Sequence, residues 1–86
     1  MLNLFKHPRK KTVYAVTKGT YLGELWVCVD NKKEYKFLSL PEMHIRIIPK
    51  DKFDLGIKEG ILDVVKKLPT FVYNVCYKQY LKNSKS

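Results

Sequence analysis

The run from Thr20 to Asp30 constrains the fold more than any other stretch of the chain. Read as a strand, it places Tyr21, Leu25, Val27 and Val29 on one face and Leu22, Trp26 and Cys28 on the other. Successive strand residues point to opposite sides, so a strand that is apolar on both sides needs cover on both. It is therefore either a central strand of a covered sheet, or a strand with helices on one face and a partner on the other. Gly23 inside the run suggests a bulge or a close backbone approach.

The flanking segments supply the rest of a sheet. Thr12 to Thr17 is β-branched and aromatic, with Lys18-Gly19 as its turn. Asp30-Asn31-Lys32-Lys33 has hairpin-turn chemistry, because Asn and Asp tolerate left-handed backbone. Glu34 to Leu40 reads as a third strand. After Pro41-Glu42, Met43 to Ile48 alternates Ile45 and Ile47 against His44 and Arg46, and this fourth strand ends at Pro49. From Asp51 the period lengthens: Phe53, Ile57, Ile61, Leu62, Val64, Val65 and Leu68 recur at helical steps. Asp54 is the expected N-cap, and Lys66-Lys67 suit the negative end of the dipole. Gly56 and Gly60 would weaken such a helix by about 1 kcal/mol each, or permit close packing on the sheet. Pro69 ends it, Thr70 can cap the next, and Phe71 to Lys82 forms a second helix. The expectation is an α+β fold: an antiparallel β-meander of about four strands followed by two C-terminal helices. Residues 1–11 form a basic leader outside the sheet, 12–82 a single domain, and 83–86 a polar tail.

Charge narrows the function. Seventeen Lys and Arg face eight Asp and Glu, a formal net charge of +9. Residues 1–18 and 64–86 each carry five basic residues and no acid, so the two ends hold the whole excess. An imbalance of this size is an electrostatic footprint of nucleic-acid binders, the bland alternative being a solvated surface with basic tails. Cys28 and Cys76 lie far apart in apolar stretches and read as buried hydrophobes of a reducing compartment. Leu2, Leu4 and Phe5 give way to Lys6, His7, Pro8 and Arg9, too short an apolar stretch for a signal peptide, and no run reaches membrane-span length. An intracellular, soluble protein with no membrane partner is expected.

Catalytic constellations are not legible. His7 and His44 show no metal-ligand spacing, and neither cysteine sits where a thiolate is favoured. No phosphate-cradling glycine loop occurs. We expect no catalytic residue, no metal and no cofactor. Binding has better candidates. Lys6, Arg9, Lys10 and Lys11 form a compact cationic leader, and Lys32, Lys33 and Lys36 a second patch on the hairpin. In the last helix Tyr73, Tyr77 and Tyr80 interleave with Lys78 and Lys82. The rings suit base stacking and the lysines phosphates, or else the stripe is ordinary core packing with snorkelling lysines. Tyr77 is the expected exposed member and Tyr80 the core one. Lys outnumbers Arg fifteen to two. Lys is a point charge without the bidentate fork that reads bases, so phosphate tracking with little sequence specificity follows.

Three strings carry a resemblance: Tyr21-Leu-Gly-Glu24, Phe37-Leu-Ser-Leu-Pro41, and the Leu68-Pro69 break before Val75-Cys76. Over roughly residues 12–80 the chain resembles the small basic early proteins of T-even-type bacteriophages. The resemblance implies a counter-defence role in the host cytoplasm, as an RNA-binding antitoxin-like factor that holds a host toxin endoribonuclease inactive in a complex with RNA. It transfers no contact residue. The rival expectation is a protein–protein inhibitor or adaptor whose lysines meet an acidic protein surface.

Overall fold

The computed structural model describes residues 8–85. Strands β1 (Thr12–Val16), β2 (Leu25–Asp30), β3 (Tyr35–Leu40) and β4 (His44–Ile48) form the expected antiparallel meander. A fifth strand, β5 (Leu62–Lys67), pairs antiparallel with β1 on its other side, giving the order β4-β3-β2-β1-β5. Helix α1 (Lys50–Lys58) precedes β5 and helix α2 (Thr70–Lys85) follows it. The fold is α+β.

β2, the strand apolar on both sides, is the middle strand of the sheet, and each of its faces has a core. On one face Tyr14, Trp26, Cys28, Tyr35 and Phe37 pack with Phe53 of α1 and Leu62 of β5. The Phe53 ring stacks on Phe37 at 5.8 Å and meets Tyr14 and Tyr35 edge-on. On the other face Val13, Val27, Val29 and Leu38 are covered by Tyr73, Cys76 and Tyr80 of α2. The helices therefore lie on opposite faces, not side by side as a hairpin.

Three boundaries differ from those read from the sequence. First, the helical period continues past the helix. Gly60 takes a left-handed φ of +73°, its N–H reaches the Ile57 carbonyl at 3.2 Å, and the Ile61 N–H reaches the Gly56 carbonyl at 2.8 Å. This pair of bonds closes the helix end and turns the chain into β5. Lys66 and Lys67 are consequently strand residues, not a helix terminus. Gly56 provides the expected close packing: a Cβ there would sit 3.3 Å from Leu62 Cδ1. The helix also starts earlier, after Pro49 and not at Asp54. Proline suits a helix start, having no N–H to leave unpaired.

Second, β2 begins only at Leu25, and residues 17–24 form a loop that contains Gly23. Glu24 anchors this loop to the sheet. Arg46 donates to both its carboxylate oxygens, from Nε at 3.2 Å and from Nη2 at 2.8 Å. Trp26 Nε1 and Ser39 Oγ donate to Oε1 at 2.8 and 2.9 Å. The Arg46 guanidinium also lies 4.0 Å from the centre of the Tyr21 ring. Arg46 above all, with Trp26 and Ser39, holds the Glu24 carboxyl at about 2, well below the usual carboxylate range.

Third, the domain extends beyond 12–82 at both ends. α2 continues to Lys85, and Asn83 Nδ2 donates to the Met43 carbonyl at 2.6 Å. Pro8 is buried, and its carbonyl accepts from Asn31 Nδ2 at 2.8 Å. Residues 8–11 are thus part of the packed domain. Among the described residues neither edge strand, β4 or β5, has a strand on its outer side; β5 has a register irregularity beside Val13/Tyr14 and carries Lys66 and Lys67, features that discourage sheet-to-sheet pairing.

Candidate nucleic-acid interface

The strand directions sort the lysines. β1 and β3 start, and β2, β4 and β5 finish, at the same end of the sheet, where Thr12 faces Lys67, Asp30 faces Lys36 and Tyr35 faces Ile48. Three basic segments distant in sequence meet there. Arg9, Lys10 and Lys11 lead into β1, Lys32 and Lys33 form the β2–β3 turn with Lys36 just beyond it, and Lys66 and Lys67 close β5. Lys50 opens α1 at this end, its ammonium 5.8 Å from the centre of the Tyr35 ring. Arg9, Lys10, Lys32, Lys33, Lys50, Lys66 and Lys67 are exposed. Asp30, Glu34, Asp51 and Asp54 are the acids there: Asp54 lies close enough to Tyr35 to add to the rise in its pKa that burial causes, and Asp30 Oδ1 is engaged by the Lys32 N–H at 3.0 Å. The opposite end, where β2 starts and β3 finishes, carries Glu24, Glu42, Glu59 and Asp63.

Lys11 holds the basic end together. Its N–H reaches the Cys28 carbonyl at 3.3 Å and its carbonyl accepts from the Leu68 N–H at 2.8 Å. Its ammonium donates to Thr70 Oγ1 at 3.0 Å. One residue ties β2, the β5–α2 link and the first turn of α2. It does so with φ at +77°, a backbone conformation that costs an L-residue about 1–2 kcal/mol and persists only where the surroundings impose it.

The remaining expected site residues lie elsewhere. Lys6 lies outside the described residues, as do Leu2, Leu4, Phe5 and His7. Lys78 and Lys82 are exposed on α2, away from the sheet. Tyr80 is buried, as expected. Tyr77 is half-buried, between Tyr73 (ring centres 5.8 Å apart) and Tyr80 (5.7 Å), and packs against the α2-side core. Its ring faces are largely taken by its neighbours, so the stripe is chiefly core. The aromatic residue that sequence reasoning passed over is Phe71, 74% exposed in the first turn of α2. Its position next to Thr70 would have been the only signal, and it acquires meaning only once Lys11 is known to reach that turn.

Reactive groups are quiet. Cys28 is fully buried, and burial pushes its thiol up to about 12. Cys76 is raised for the same reason. His44 is exposed on β4, 3.8 Å from Glu42. Among the described residues no group of three or more His, Cys, Asp or Glu is placed to hold a metal, and no helix is long and apolar enough to cross a membrane. The chain matches no protein-family model, no curated protein and no solved structure.

Proposed function

We propose that this protein is a non-enzymatic RNA-binding module that grips the phosphate backbone with the basic end of its sheet. The observation that carries the reading is the meeting of Arg9–Lys11, Lys32–Lys36 and Lys66–Lys67 at one end, where basic residues outnumber the acids. Clustered cations release the counterions condensed on a phosphate chain, which drives binding without base reading. The short basic turns and the Lys excess suit this task. The resemblance to the T-even phage early proteins extends the proposal to a ternary assembly, in which the bound RNA helps the protein hold a host toxin endoribonuclease inactive.

Salt separates this reading from its rival. With about five to eight phosphates neutralised, log K falls with log salt at about −0.7 per contact for a single strand. Titration of a labelled RNA oligomer from low to physiological salt measures the slope. Lys10→Glu and Lys66→Glu weaken binding and flatten the slope, whereas Lys18→Glu and Lys58→Glu, at the other end, change both much less. A flat salt dependence, or no binding at low salt, removes RNA and leaves an acidic protein surface as the partner.

A further inference from the structure

Phe71 is the most exposed aromatic residue among the described residues, at 74%. α2 turns Tyr73, Cys76 and Tyr80 to the sheet. At 3.6 residues per turn, Phe71, Val75, Lys78 and Lys82 fall on the side away from it, and all four are exposed. Helical side chains lean toward the helix N-terminus, so the Phe71 ring is directed toward the turn where Lys11 bonds Thr70. An apolar ring of this size gains from leaving water. The charged residues nearest to it along the chain are Lys66, Lys67 and Lys78, and the Lys11 ammonium bonds the adjacent Thr70. That combination fits a flat, anionic ligand better than a hydrophobic protein surface. A base inside a duplex has both faces stacked and cannot offer one, whereas an unpaired base can.

Resting on the RNA-binding reading above, we infer that the ligand is an unpaired strand. One of its bases stacks on Phe71 at the basic end, and its backbone continues along the outer side of α2 past Lys78 to Lys82. Phe71 and Lys82 are eleven residues apart, about 16 Å along the helix. This gives the two outlying lysines a place on the same track as the sheet end.

The test compares a short fluorescein-labelled oligouridine with a long RNA duplex, whose exposed end faces are a negligible share of its binding sites, by anisotropy, on wild type, Phe71→Ala, Phe71→Leu and Phe71→Trp. Loss of a base-stacking ring weakens oligouridine binding by roughly tenfold to a hundredfold. The expected result is that loss in Phe71→Ala and Phe71→Leu, retention in Phe71→Trp, duplex binding the same in all four, and an unchanged melting temperature. Phe71→Leu keeps apolar bulk without a ring face, so it separates stacking from packing should Phe71→Ala lose stability. Oligouridine binding that is salt-dependent but indifferent to Phe71 overturns the inference and leaves the RNA-binding reading standing. Equal losses on duplex and oligouridine also overturn it. If wild type binds neither probe, the underlying reading fails, and the inference with it.

Discussion

Lys11 has an architectural role and, in the function proposed above, a phosphate-binding one, and a single substitution can separate them. Its left-handed backbone is one that glycine adopts freely, so Lys11→Gly relieves that cost while removing the ammonium. The expected outcome is an equal or higher melting temperature together with weaker RNA binding and a salt slope flatter by nearly one contact. Thermal melts and salt titrations of the same variant check it, and unchanged binding would assign Lys11 to architecture alone. Glu24 shows the opposite economy, since its charge serves the fold. Its carboxyl titrates near 2 in the folded chain against an ordinary value near 4.5. A depressed carboxylate contributes stability that is fully present above the unfolded value and lost as pH falls toward the folded one. Between about pH 4.5 and 2 the domain should lose on the order of 2 kcal/mol through this group, which is about a quarter exposed. Glu24→Gln should be less stable at pH 7 and show a shallower acid dependence over that window, measured by denaturant titrations at a series of pH values.

At the scale of elements, the four meander strands were legible because alternation is a local signal, and the apolar residues on both sides of β2 narrowed its place to two options, of which the sheet order shows the central one. β5 was not legible. Ile57, Ile61, Leu62, Val64 and Val65 fit a helical stripe and a strand almost equally, and periodicity alone cannot divide them. The discriminating signal was Gly60 followed by the β-branched pair Val64-Val65, a helix stop ahead of a strand-former. Missing β5 also hid one of the three basic segments of the candidate site. Lys66 and Lys67 look like helix-terminal residues until β5 pairs with β1 and carries them to the leader. The leader and hairpin lysines were visible as charge, but their proximity depends on strand direction, which composition does not encode. Phe71 was obscured by its neighbours: in a helix rich in tyrosine, the rings flanked by lysines drew attention, and those are the ones that pack.

At the scale of the whole molecule, charge is polarised along the strands, and the two cores lie on either side of a single sheet. The polarity rests on one long-range pairing. The meander joins neighbours in sequence, whereas β1–β5 brings Thr12 against Lys67, more than fifty residues on. Closing a long loop costs more chain entropy than closing a hairpin, and distant pairings assemble slowly. The order of assembly then has a functional reading. The meander can gather the leader and hairpin lysines early, while Lys66, Lys67 and Phe71 reach them only when β5 docks. A nascent or partly unfolded chain would therefore present an incomplete phosphate grip, and bound RNA would act as a latch on the last strand to arrive. Native-state hydrogen exchange should find β5 amides opening at lower free energy than those of β2 and β3, with added RNA raising protection in β5 more than in the meander. Equal protection of all five strands, unmoved by RNA, would mean that the sheet closes as one unit.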